Sequence, residues 1–376
     1  MNWIKGLKAS FGVFIASLFL YFVLDNVAYT IDTNFKQTYK AISFRHASNE
    51  SYFHSPSDSY ISISNPSILK EKTLFRTSDD GDILPRGGKD DAKTKIFFLG
   101  GSTTESHWMD EEKRWPFLVG NELNKRGLDI QSFNYGSGGQ NLNHSLQKVV
   151  SFILKEQPDY IVLNHASNDI GKYFNGGYYA RESSLHDTYD IIPAHSTLLL
   201  RLKNSIREAL PFTNKHWREY RNQSNGWSNQ RSGKAIHGNL DVANFSLDYL
   251  SRIKAIKALA ESYGGKVFVI EQPQVFKEVL NKTNSYNINP REELELLLDS
   301  KGISKDHFLD FVDQFYQIVK LSLNKDDEIK YIETNGYGLS ENDFYDAIHF
   351  NELGSQNFSK ILADDLFKYI NYSNEI

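Results

Sequence analysis

Apolar positions along the chain form two patterns, short unbroken runs and longer stretches that repeat every three to four residues. Lys95-Ile96-Phe97-Phe98-Leu99 is a mostly apolar run closed by Gly100-Gly101, as expected of a strand buried on both faces. Residues 115–128 follow with helical periodicity and stop at Arg126-Gly127. A second short strand is predicted over 130–135, ahead of Gly136-Ser137-Gly138-Gly139. Residues 143–156 have an amphipathic helical pattern, and Pro158 divides them from a third strand, Tyr160-Ile161-Val162-Leu163. Residues 172–245 break this rhythm. They are polar, rich in Asn, Arg, Tyr and Trp, and read as an insertion or lid with a helix near 197–210. The pattern resumes with a helix over 245–263, a strand at 266–270, an acidic helical stretch over 291–323, a last strand at 330–332 and a closing helix over 354–370. Strands alternating with helices predict an α/β fold whose parallel sheet is covered on both faces. No internal repeat is evident.

The first residues have a different character. Lys5 and Lys8 precede an apolar run over 11–24, and no charge occurs between Lys8 and Asp25. As a helix the 16 uncharged residues would span about 24 Å, short of a ~30 Å hydrocarbon core. Trp3, Tyr29 and the snorkelling lysines can make up the difference. The rival is a cleaved signal peptide, but Asn26-Val27-Ala28 is a poor small-x-small site. The expectation is therefore a cytoplasmic stub at 1–8, a transmembrane anchor at 9–28 and, by the positive-inside rule, a body outside the cytoplasm. Residues 29–92, polar and aromatic with a Ser-rich patch, read as a stalk or irregular N-terminal layer. Residues 93–376 read as the main domain, with the insertion at 172–245 inside it.

Composition narrows the chemistry. Hydrophobic residues at 40% and charged residues at 24% make a packed core the default in this chain of 376 residues. A net charge of −5 offers no broad basic surface for phosphates, so nucleic acid is not an expected partner. With no cysteine, disulfides, thiolate metal sites and a Cys nucleophile are excluded.

Four segments near predicted strand ends carry informative residues, and open parallel sheets gather reacting groups there. Gly100-Gly101-Ser102-Thr103-Thr104-Glu105 would expose a serine hydroxyl at a tight strand-to-helix turn. The same string fits a phosphate cradle or a plain connection, although it lacks the nucleotide-binding glycine spacings. Asn134-Tyr135-Gly136-Ser137-Gly138-Gly139 permits close backbone approach to a ligand, as would a flexible turn. In Ala166-Ser167-Asn168-Asp169 the amide can donate to an oxyanion, while Asp169 equally suits a helix cap. Asp346-Ala347-Ile348-His349 spaces an acid and an imidazole three apart, on one side of a helical turn, so that the carboxylate can fix the ring tautomer. A structural reading also fits that pair, and it is the reading given to the other ten histidines, His144 and His165 included.

Taken together and in order, these segments resemble the SGNH (GDSL-like) hydrolase family. The resemblance covers about 95–169 and 346–362, and Trp115-Pro116 is a further shared feature. It implies a three-layer, flavodoxin-like sandwich and a serine esterase or acyltransferase that needs no metal or organic cofactor. By resemblance Ser102 is the nucleophile, His349 the general base and Asp346 its orienting carboxylate. The oxyanion donors are the N–H groups of Ser102 and Gly139, with Gly136 as alternate to the latter, and the Asn168 amide. Two departures stand out: Gly101 replaces the usual Asp before the serine, and Ala166 replaces the usual Gly before the Asn. The expected substrate is an ester, of O-acetyl type on a cell-surface carbohydrate, with a lipid ester or thioester as alternative. A non-catalytic glycan-binding or scaffold protein using the same pocket is the reading from a different class.

Overall fold

The computed structural model describes residues 17, 20–21, 46–56, 69–174, 241–281, 294–295, 298–299, 302–326 and 329–374. The anchor expected over 9–28 lies outside them except at three positions, as does most of the insertion at 172–245. Among the described residues no helix is long and apolar enough to cross a membrane.

The apolar runs do form strands. After a small antiparallel ribbon, β1 (Ser51–His54) with β2 (Thr73–Arg76), come β3 (Ile83–Gly88), β4 (Thr94–Gly100), β5 (Ile130–Asn134), β6 (Tyr160–Asn164), β7 (Lys266–Ile270) and β8 (Ile329–Ile332). They join in one sheet of order β3-β5-β4-β6-β7-β8. All neighbours are parallel except β3, which runs antiparallel to β5 at the edge. Without β3 the order is the flavodoxin-like 2-1-3-4-5, with its switch point at β4. The sheet thus reaches back to Ile83, before the stretch expected to begin it. Pro85 and Gly87 interrupt the apolar pattern of β3, and an edge position tolerates both.

Alternate residues of each strand face opposite layers. Phe97, Leu99, Ile161, Leu163, Val267 and Val269 lie in one core. That core is closed by α3 (Leu142–Lys148), α6 (Val242–Glu261) and α8 (Lys305–Leu323). Between α3 and β6 run a π-helical turn, Val149–Ile153, and the short α4 (Leu154–Glu156). Ile96, Phe98, Val162, Phe268 and Ile270 face the other layer, made of α2 (Trp115–Lys125) and α9 (Glu352–Asn374). Two shorter helices complete the carboxyl edge, α5 (Ser167–Phe174) after β6 and α7 (Phe276–Asn281) after β7. With both faces covered, the strands carry unbroken apolar runs instead of alternation.

Helix α2 lies close on the edge of the sheet. A Cβ at Gly120 would stand 2.4 Å from Ser132 Oγ and 2.7 Å from the Gly87 carbonyl carbon. Exchange of a helix-interior glycine for alanine gains about 1 kcal/mol in propensity, whereas overpacking against backbone costs about 1–3 kcal/mol. The backbone contact should decide the sign. Gly120→Ala is expected to lower the urea midpoint at unchanged m-value, and a raised midpoint would show that α2 can move away.

Candidate active site

β4 delivers the chain to a turn at Gly100-Gly101, where Ser102 opens the one-turn helix α1 (Ser102–Glu105). Side chains from neighbouring elements hold that turn. Asn134, ending β5, donates to the Thr104 carbonyl at 2.9 Å, and Asn164, ending β6, donates to Thr104 Oγ1 at 3.1 Å. Trp115 Nε1 donates to the Thr103 carbonyl at 2.9 Å. The helix stops at Ser106, which is left-handed (φ 53°) and returns its N–H to the Ser102 carbonyl. As the first residue of α1, Ser102 has no carbonyl one turn earlier to take its own N–H.

Asp346 and His349 reach this turn from the loop after β8. The Ser102 hydroxyl lies 2.7 Å from His349 Nε2, and His349 Nδ1 lies 2.6 Å from Asp346 Oδ2. A carboxylate only accepts, so Nδ1 carries the proton and Nε2 presents its lone pair to the hydroxyl. The segment is a bend, not the helical turn expected from the spacing. The Asp346 carboxylate itself makes the bend: its Oδ1 accepts the N–H groups of Ile348 (2.8 Å) and His349 (2.7 Å). Tyr345 lies parallel to the His349 ring at 5.5 Å, and the Ala347 carbonyl accepts from Val275 N–H. Burial raises the Asp346 carboxyl, but the facing His349 and the hydrogen bonds from its ring, Ile348 and the His349 amide outweigh it and hold it below its ordinary value.

The expected oxyanion donors are placed unevenly. The Asn168 amide donates to the Gln140 carbonyl at 2.8 Å, which engages one of its two hydrogens. Its Nδ2 would stand 2.4 Å from a Cβ at Gly101, so it lies against the residue preceding the nucleophile. Gly139 is exposed and left-handed (φ 73°), with open space about it. The alternate, Gly136, already donates its N–H to Asn134 Oδ1 at 2.9 Å.

A second serine, histidine and aspartate meet deeper in the fold. Ser145 Oγ is 2.7 Å from His165 Nε2, and His165 Nδ1 is 3.9 Å from Asp169. All three are sealed from solvent. Burial, then the charges of Lys148 and His144, push the His165 ring well below its ordinary value and keep it neutral. Asp169 Oδ1 instead accepts the Leu142 N–H at 3.1 Å, joining α5 to α3.

Sequence reasoning passed over two groups beside the nucleophile turn. His46 is buried; its Nε2 lies 3.0 Å from the Gly136 carbonyl and 3.3 Å from Glu105 Oε1. The contact with Gly136 crosses 90 positions, so no local pattern could mark it. The Arg114 guanidinium is buried and donates to the carbonyls of Leu74, Leu84 and Ser106, fastening β2 and β3 to the end of α1. Its position one residue before Trp115-Pro116 was the only available sign.

The GDSL-like Lipase/Acylhydrolase family profile matches residues 96–362. The chain belongs to this family, the SGNH hydrolases, and is a serine hydrolase. Among solved structures, a GDSL-like lipase from Bacteroides thetaiotaomicron is 12% identical, with TM-score 0.37, covering 73% of this chain and 89% of that one. An acetyl xylan esterase is 15% identical, with TM-score 0.39, covering 73% and 99%. A family 3 carbohydrate esterase from Clostridium thermocellum is 12% identical, with TM-score 0.38, covering 74% and 98%. No curated protein matches the chain significantly. Likenesses this distant decide nothing about substrate.

The lowered Asp346 carboxyl gives a pH signature. A depressed carboxyl contributes stability that is complete above its unfolded value, 3.8, and is lost as pH falls through the folded value. Asp346→Asn should therefore be less stable than wild type at pH 7, with the gap closing below about pH 4. Urea unfolding at pH 7, 5 and 3 measures this; a gap that persists undiminished at pH 3 would show that the charge contributes nothing.

Proposed function

We propose that the chain is an extracytoplasmic, membrane-anchored esterase that removes acyl groups, of O-acetyl type, from a carbohydrate by two-step transfer through Ser102. The observation that carries the chemistry is the relay at 2.7 and 2.6 Å from hydroxyl to imidazole to carboxylate. His349 takes the Ser102 proton as Oγ attacks the ester carbonyl, and Asp346 steadies the imidazolium. In this scheme the N–H groups of Ser102 and Gly139 and the second hydrogen of the Asn168 amide donate to the developing oxyanion. His349 then returns the proton to the leaving alkoxide. Water, activated in the same way, releases the acid and restores the serine. A sugar hydroxyl in place of water would make the protein an O-acetyltransferase with the same residues.

The carbohydrate reading rests on placement and on aromatic side chains. Lysines before an uncharged apolar run, and acids after it, favour an anchor with the body outside. The insertion at 172–245 is rich in Tyr and Trp, whose rings suit sugar faces. Trp108, half-buried and stacked on His54 at 4.3 Å, adds an aromatic surface just past α1.

A fluorophosphonate probe tests the chemistry, because it labels only an activated serine. Wild type should react and Ser102→Ala should not; failure of wild type to react would favour a glycan-binding protein without turnover. With p-nitrophenyl acetate, Ser102→Ala should lose about 10⁴-fold or more in kcat, and Asn168→Ala about 10²–10³-fold. Acetate release from an O-acetylated polysaccharide, with and without a free sugar acceptor, separates esterase from transferase. Faster turnover of a long-chain acyl ester than of either acetate would overturn the carbohydrate assignment.

A further inference from the structure

Gln272 sits two residues past β7, where the sequence shows only a turn-rich Glu-Gln-Pro-Gln. Its side chain is buried, 4% exposed, and satisfied at both ends. Oε1 accepts the Ser167 N–H at 2.8 Å, and Nε2 donates to Thr103 Oγ1 at 3.0 Å. Its own carbonyl accepts from the Tyr316 hydroxyl at 3.1 Å. The backbone N–H of Ser167 can only donate, which fixes the amide's orientation and leaves Nε2 facing Thr103. Thr103 directly follows Ser102, and Ser167 directly precedes Asn168.

We propose that Gln272 is a positioning residue that sets the distance between the Ser102 turn and the Asn168 amide by bridging the turns after β4 and β6. The inference rests on the roles given above to Ser102 and Asn168. One planar amide thus links the residue after Ser102 to the residue before Asn168. From the other side the Gln140 carbonyl, 2.8 Å from Asn168 Nδ2, restrains the same side chain. The bridge needs an acceptor for the Ser167 N–H and a polar partner for the Thr103 hydroxyl, which can accept or donate. Methionine of similar size supplies neither. Ionised glutamate can keep both contacts with Thr103 donating, but it adds a negative charge close to the site where an oxyanion develops.

The consequence concerns turnover and not binding, because substrate does not touch Gln272 in this scheme. A displacement of about 1 Å at reacting groups can cost 10²-fold. Gln272→Met should lower kcat for p-nitrophenyl acetate by roughly 10–10²-fold with KM within about twofold, and slow fluorophosphonate labelling in parallel. In an Asn168→Ala background the same change should cost much less, since the amide it positions is gone. Gln272→Glu gives a second readout that a purely structural role would not move. Its kcat relative to wild type should rise as pH falls and the carboxyl takes up a proton.

Wild-type kcat and labelling rate in Gln272→Met, a loss confined to KM, or full additivity with Asn168→Ala would each overturn the proposal. Should Gln272→Met fail to fold by circular dichroism, Gln272→Glu decides, and a ratio to wild type that is flat with pH overturns it. Absence of labelling in wild type would instead defeat the parent reading of Ser102, so the two failures are distinct.

Discussion

The parallel register of β4 against its two neighbours is the constraint on which the site depends. Gly100 pairs with Asn164 on β6, and Phe98 pairs with Asn134 on β5. This places two asparagine amides at the carboxyl edge within reach of Thr104, one from each side. The turn bearing Ser102 is thus held by the ends of the strands that flank it. A slip of one residue would exchange the faces of every side chain on a strand. It would move the apolar residues of β4 between cores and withdraw both amides together. Fold and nucleophile geometry are consequently one commitment, stabilised by the two apolar layers that fix the register.

Two clusters of serine, histidine and aspartate share this fold, and electrostatics separates them. At the edge, His349 lies within 2.6 Å of a carboxylate held below its ordinary value, so an imidazolium formed there has an ionised partner. In the interior, His165 stands 3.9 Å from Asp169, close to the cation of Lys148, and is held neutral. A proton arriving on His165 would create a buried charge beside another of the same sign. Ser145 and His165 can therefore hydrogen bond without proton transfer. Residue types alone do not distinguish the clusters; solvent access and the separation of imidazole from carboxylate, 2.6 against 3.9 Å, do.

Much of the sheet was legible in the sequence because strands covered on both faces must be apolar throughout. Runs such as Phe97-Phe98-Leu99 and Val267-Phe268-Val269-Ile270 admit few other readings. The edge strand Ile83–Gly88 was hidden, since an antiparallel edge needs no such run and this one contains Pro85 and two glycines. At the site, Ser102, Asn168, Asp346 and His349 stood out because each follows a strand end and carries reactive chemistry. The shape of the His349 loop did not: spacing of three suggests a helical turn, but after Asp346 takes the N–H groups of Ile348 and His349 on its side chain the backbone continues as a bend and no helix follows. Gln272, His46 and Arg114 were illegible for another reason. Gln272 and His46 meet the nucleophile turn and its glycine loop across 169 and 90 positions, and Arg114 reaches Leu84 and Leu74 across 30 and 40, where no periodicity operates.

The departure at Gly101 has a physical cause in the same neighbourhood. Its backbone is ordinary, with φ −87°, so no left-handed strain calls for glycine. What excludes a side chain is occupancy: a Cβ there would meet Asn168 Nδ2 at 2.4 Å and the Gln140 carbonyl oxygen at 2.9 Å. These two atoms are partners in the hydrogen bond that fixes the Asn168 amide. An aspartate before the nucleophile and an Asn168 drawn against that position by Gln140 are therefore mutually exclusive here. The missing acid is accordingly the steric complement of the way this chain packs its amide beside Ser102, and no weakening of the relay follows from it.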